Sequence, residues 1–171
     1  GVQTCALPIS GLAGGAGTYA FLIGCGWFAD SCFHVRQFVL TSFVSERAIL
    51  DELAQLGSGA GGVITYNGKT FDLPLIETRF LIHRRQTPFA GKPHVDMLHP
   101  ARQLWAGESG GRLTAMEADV LGYAREGDVP GFEIPARYFQ FVRSGDARPL
   151  ARSEEPRLNS SHVSESRMPS S

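Results

Sequence analysis

Apolar and polar positions alternate along this chain in two periods, and the switch between them marks the elements. Thr18-Tyr19-Ala20-Phe21-Leu22-Ile23-Gly24 is a continuous aromatic and aliphatic run, which predicts a buried strand. Phe33 to Leu40 alternates apolar with polar, as expected of an antiparallel partner with one wet face, and Ala29-Asp30-Ser31 supplies the turn between them. The period then lengthens. Ala48, Ile49, Leu53 and Leu56 recur at helical spacing behind Ser45, a good N-cap, and predict a helix from Ser45 to about Leu56. Val63 to Tyr66 reads as a short buried strand that closes at the Asn67-Gly68 turn. A helix follows from about Pro74, with Leu73, Ile76, Phe80 and Leu81 on one side.

Further along, Val95 to Leu98 predicts a strand that leads into a helix around Ala101 to Trp105. Leu113, Met116, Val120 and Leu121 predict another helix, stopped by Gly122, and Pro135 opens one that carries Tyr138, Phe139 and Val142. Strands first, then helices alternating with strands, give a mixed sheet with helices packed on it. Gly57-Ser58-Gly59-Ala60-Gly61-Gly62 invites comparison with a phosphate-binding loop. It runs from helix to strand, however, and a phosphate cradle needs the reverse order, so we read it as a connection only.

Charge adds little direction. Sixteen Lys and Arg against 17 Asp and Glu leave a net charge of −1, which argues against a histone-like binder and against an acidic disordered tail. A local basic groove remains compatible with that total. Cys25 and Cys32 do not make a disulfide framework, and a reducing cytoplasm is the simpler expectation. The longest apolar stretch, Tyr19 to Phe28, is too short to span a bilayer, so no membrane association is expected.

The two ends carry a different kind of signal. Ala6 to Ile9 back-translates as GCT CTT CCG ATC, and Arg152-Ser153-Glu154-Glu155 as AGA TCG GAA GAG, its reverse complement across the shared bases. Gly1 to Thr4 and Arg157 to His162 are related in the same way, and both strings resemble a sequencing-library adapter. We therefore expect residues 1–10 and 152–171 to be adapter-derived, the latter a disordered tail, and residues 11–151 to form the domain.

The most specific segment of that domain is Val63-Ile64-Thr65-Tyr66-Asn67-Gly68-Lys69-Thr70-Phe71-Asp72-Leu73-Pro74-Leu75. A strand, a tight turn and a helix start place one carboxylate, Asp72, at the rim of the sheet. The segment resembles the second motif, Asn-x-x-x-Phe-Asp, of DEDD-type 3′–5′ exonucleases, with Asn67, Phe71 and Asp72 at the motif positions. More fully, the chain is similar to the YprB-type ribonuclease H-like domain of bacterial proteins. The matching stretches are Gly14 to Leu22, Thr65 to Phe80, His94 to Arg102 and Gly127 to Arg137.

That resemblance implies an α/β fold, a ribonuclease H-like mixed sheet flanked by helices, here without its native first strand and its C-terminal motif helix. It also implies chemistry. Two divalent cations, Mg²⁺ or Mn²⁺, held roughly 4 Å apart by four acids, activate a water and stabilise the leaving oxygen of a phosphodiester. Two of those acids belong to an Asp-x-Glu just before Gly11-Leu12 and a third corresponds to Asp72. The fourth would follow Ala147-Arg148-Pro149-Leu150, where the chain turns into adapter. One of four ligands is then present, and this chain is expected to be inert. Residues 2–9 are expected to fill the vacant first-strand position even so, although Pro8 suits a central strand poorly.

Other candidates carry two readings each. Asp72 by itself reads as a plain helix N-cap, and the surrounding motif turns that reading to a metal ligand. Arg84 and Arg85, with Arg79, Lys92 and Arg102, form the most basic region and would follow the phosphates of a substrate strand or simply face solvent. Tyr19 would meet a base or fill the core, and Lys69 would contact a phosphate beside Asp72. Asp96 caps or pairs locally, with Arg102 as one partner. His83, His94, Asp96 and His99 do not match a closed zinc pattern. The implied partner is a nucleic acid, DNA or RNA, engaged at a single-stranded 3′ end. The competing function is a non-catalytic ribonuclease H-like module that binds nucleic acid or protein.

Overall fold

The computed structural model describes residues 3–4, 18–105, 111–123, 133–146 and 148. Gly11 to Gly17, Gly127 to Phe132 and residues 152–171 lie outside these. The elements are β1 (Gln3–Thr4), β2 (Leu22–Ala29), β3 (Cys32–Val39), α1 (Glu46–Ser58), β4 (Val63–Thr65), α2 (Asp72–Ile82), β5 (His94–Asp96), α3 (Leu98–Leu104), α4 (Leu113–Leu121) and α5 (Ile134–Ser144). The sheet order is β3-β2-β1-β4-β5, with β1 antiparallel to β2 and parallel to β4, and β4 parallel to β5. This is the mixed α/β sheet the pattern called for.

The first-strand position is filled by Gln3–Thr4, which pair with Trp27 and Gly26 on one side and Val63 and Ile64 on the other. Two residues at the sheet centre hold the hairpin and the parallel half together. The rest of the expected 2–9 strand lies outside the described residues.

Strand β2 starts later and runs further than its apolar pattern suggests, passing through Gly24 and Gly26 to the turn. Gly26 is tolerated because its bare face receives a ring: a Cβ there would lie 2.5 Å from Phe33 Cζ. Asp30 and Ser31 both take positive φ, 49° and 63°, the primed geometry of a two-residue hairpin loop.

The core divides into two clusters, and Ile49 of α1 packs against both. Ile23 and Cys25 join Leu50 and Leu53 of α1, Val63 of β4, and Leu73, Ile76 and Phe80 of α2. Phe21, Leu22 and Leu40 meet Ile134 and Tyr138 of α5, where the Phe21 and Tyr138 rings stack with centroids 4.2 Å apart. The Tyr138 hydroxyl donates to Leu40 O at 2.7 Å, so the buried phenol keeps a partner.

Several apolar stripes are rotated from their expected phase. In α1 the buried face is Glu46, Leu50, Leu53 and Gly57, and Ala48 is exposed. Gly57 belongs there because Pro88 and Phe89 press against it, leaving no room for a Cβ. In α2 the buried face is Leu73, Ile76, Arg79 and Phe80, while Leu81 is 75% exposed. Of the stripe expected in α4 only Met116 is buried, and in α5 Tyr138 is buried while Phe139 and Val142 are largely exposed. Gly122 does end α4, in the left-handed conformation at φ 64°. Helix α1 runs through Ser58, so the glycine-rich segment begins inside a helix and leads into β4 as a connection.

Candidate functional site

Strand β4 leaves the sheet at Thr65, and the chain turns sharply to start α2 at Asp72. Asn67 takes φ 62°, a conformation that asparagine tolerates better than most residues. Gly68 then sits directly on the buried Thr65, where a Cβ would approach Thr65 Cβ to 2.6 Å. The Leu73 amide donates back to Gly68 O at 2.9 Å and ties the turn to the helix start. Below the turn, Thr65 Oγ1 and His94 Nε2 of the neighbouring strand are 2.9 Å apart.

The turn is also tied sideways. Asp96 stands opposite Thr65 in the β4–β5 register, and its Oδ1 accepts from the Asn67 amide at 2.7 Å and the Leu98 amide at 3.1 Å. Its Oδ2 accepts from the Lys69 amide at 2.9 Å. Burial alone would push this carboxyl up. The bonds from Lys69, Leu98 and Asn67 and the nearby His94 outweigh burial and hold it below the usual range. Asp96 bonds locally to the Leu98 amide, but the larger part of its bonding reaches across to the turn.

Asp72 occupies the first residue of α2, with Phe71 at the N-cap, so the plain capping role is not the one realised. Its carboxyl is half-buried and pushed up to about 7, first by burial and then by the negative charge of Asp96. Among the described residues no cation pairs with it to offset these two effects. Phe71 projects beside it, 64% exposed, and Lys69 is exposed on the same turn. Asn67, Lys69, Phe71, Asp72 and Asp96 are thus brought together by one turn and one cross-strand clamp.

The remaining candidates lie elsewhere. Arg84, at φ 54°, and Arg85 follow the far end of α2, an 11-residue helix roughly 16 Å long. Arg84 is exposed, whereas Arg85 pairs with Asp51 of α1, Nη2 to Oδ2 at 3.0 Å. Lys92 donates to the carbonyls of Gly57, Ser58 and Ala60, at 2.7, 3.2 and 2.6 Å, and closes the C-terminus of α1. Tyr19 is half-buried, its ring 4.5 Å from that of Phe43 and covered at 4.1 Å by the Arg79 guanidinium.

That guanidinium belongs to a buried network absent from the sequence reading. Arg79 donates from Nε and Nη2 to the two oxygens of Glu46, each at 2.6 Å, and His83 Nε2 lies 2.7 Å from Glu46 Oε2. A sequence signal for it exists: Arg79 falls on the apolar stripe of Ile76 and Phe80, and a charge in such a stripe is buried only with a partner. His83 and His94 therefore serve separate contacts.

Among the described residues no group of three or more His, Cys, Asp or Glu is placed to hold a metal ion. Asp96 is spent on backbone amides, and Gln3 and Thr4 bring no carboxylate to the first-strand position. The described residues alone thus do not fit a two-cation centre. Among them, too, no helix is long and apolar enough to cross a membrane.

Comparison with known proteins bears on what this turn belongs to. The sequence profile of the RNase_H superfamily matches residues 9–155. The chain is 34% identical over 138 residues to the uncharacterized protein YprB of Bacillus subtilis (strain 168), a match covering 79% of this chain and 33% of YprB. It spans about a third of the length of that relative. With a mixed sheet and a profile match over most of its length, the chain belongs to the RNase_H superfamily.

Proposed function

We propose that this chain is the greater part of a nuclease domain, a metal-dependent 3′–5′ exonuclease that hydrolyses nucleic-acid phosphodiesters in the cytoplasm. The observation that carries the reading is the placement of Asp72. A carboxylate held at the rim of β4, raised toward neutrality by burial and by Asp96, is a ligand prepared for a cation. In the parent domain Asp72 would share Mg²⁺ or Mn²⁺ with an Asp-x-Glu on the native first strand and a further Asp near the C-terminus. Phe71 offers an exposed ring for the terminal base, and Lys69 a charge for its phosphate. Asn67 sets the turn that presents them.

We further propose that residues 1–10 and 152–171 are adapter-derived and that residues 11–151 are the native part. This chain then holds one of four ligands and does not itself catalyse. A parent sequence from an overlapping read should encode Asp-x-Glu before Gly11. The restored domain should shorten a 3′-labelled single strand in Mn²⁺, and D72A should abolish that activity. Any other residues at those two positions would sink the exonuclease assignment.

One observation favours a second reading for the chain as it stands. Its first-strand position is filled without a carboxylate, which suits a module that binds nucleic acid or protein without cleaving. Binding of a single-stranded oligonucleotide that persists in EDTA, without any cleavage, supports that reading.

A further inference from the structure

Three backbone amides, those of Asn67, Lys69 and Leu98, converge on one buried carboxylate from the neighbouring strand. We infer that Asp96 is the positioning residue of the Asn67–Phe71 turn, an internal anion in a three-amide cradle that fixes where Asp72 enters α2. The inference deepens the proposed function and rests on its reading of Asp72 as the metal-facing group.

The turn needs such an anchor. Neither the Asn67 nor the Lys69 amide has a backbone acceptor among the described residues, because the chain between β4 and α2 is neither strand nor helix. Asn67 is left-handed, so its amide and that of Lys69 both point toward β5 instead of along β4. Oδ1 accepts from both Asn67 and Leu98 and Oδ2 from Lys69, so the carboxylate uses both oxygens and binds the start of α3 to the same point. From below, Gly68 on Thr65 and the Met97 amide on Thr65 O, at 2.8 Å, limit vertical movement of the turn. Asp96 limits the remaining lateral movement. Its bonds all go to backbone amides, so it acts through the turn.

Amide hydrogen exchange, read by NMR on the full chain, tests this. In the unmodified protein the Asn67 and Lys69 amides should exchange as slowly as those of β4; free exchange at either would overturn the inference. In D96N the remaining oxygen should keep Asn67 and Leu98, which share Oδ1, while the Lys69 amide exchanges about tenfold faster or more. Unchanged protection at all three positions would overturn it too. In D96A added formate, at constant ionic strength, should refill the cradle and restore protection at Asn67 and Lys69. A folded D96A that does not respond to formate counts against an anion cradle. These readouts do not depend on ligand binding. A parent sequence without Asp-x-Glu before Gly11, with the exchange pattern intact, would therefore sink the functional reading and leave the positioning role standing.

Discussion

Arg79 and Glu46 meet through two parallel hydrogen bonds of 2.6 Å, with both side chains only 5% exposed. The pair ties α2 to α1 two helical turns beyond Asp72, on the same face of α2. Burial pushes the Glu46 carboxyl up, but the bonds from Arg79 and His83 outweigh burial and hold it below its ordinary value. A buried ion pair of this kind is weak as net stabilisation and strong as a constraint, because neither partner can be removed alone.

Removing one partner should therefore cost more than removing both. R79M should destabilise the chain by about 3–5 kcal/mol, since it leaves Glu46 charged and buried with only His83. The double variant E46L/R79L should recover most of that loss. Urea denaturation of the two variants side by side checks this, and equal or greater loss in the double variant contradicts it.

The pH dependence of stability should change sign-specifically at Asp72. Its carboxyl rises from 3.8 to about 7 on folding, by burial and then by Asp96. Between about pH 4 and pH 7 the folded chain keeps this proton and the unfolded chain has released it, so stability falls as pH rises across that window. Below the window the contribution is fully present, and above it the loss is complete. D72N cannot ionise and should lose this slope, becoming more stable than the unmodified chain near pH 8 relative to pH 4. Denaturation midpoints for both chains across that range decide the matter; parallel curves would show that Asp72 is not raised.

G68A should damage the turn from below. The added methyl would meet Thr65 Cβ, Cγ2 and Oγ1 at 2.6, 2.8 and 2.9 Å. Thr65 cannot yield easily, being buried, β-branched and bonded to His94. A loss of about 1–3 kcal/mol is expected from overpacking, with the exchange change concentrated at Asn67 to Asp72. Wild-type stability in G68A would mean that the turn does not rest on Thr65.

The sheet, its hairpin and the motif turn were legible because each rests on local chemistry. Alternation in β3, the Asp30-Ser31 turn and the Asn67-Gly68 turn are written within a few residues. Helix phase was less legible. Ala48 and Leu81 look like core by spacing, but the phase of α1 and α2 is set by Glu46 meeting Arg79 across 33 residues. The same limit hid the role of Asp96, whose partners at Asn67 and Lys69 become neighbours only through β4–β5 pairing. The first strand was legible in another way, as a vacancy in the fold, and Gln3–Thr4 fill it.

Arg84 and Arg85 looked interchangeable in sequence, and the structure separates them. The Arg85 guanidinium is held by Asp51, whereas Arg84 is exposed without an ion pair among the described residues. On the proposed function, Arg84 is the one of the two that is free to follow the phosphates of a bound strand past the far end of α2. R84A should weaken binding of a single-stranded oligonucleotide and reduce the slope of log K against log salt by about 0.7, the share of one phosphate contact. R85A should leave that slope unchanged and lower the denaturation midpoint instead, because it leaves the Asp51 carboxylate on α1 without its cation. Fluorescence anisotropy across a salt series, with a urea melt of each variant, separates the two. An unchanged slope in R84A together with a reduced slope in R85A would reverse the assignment and place the strand along α1.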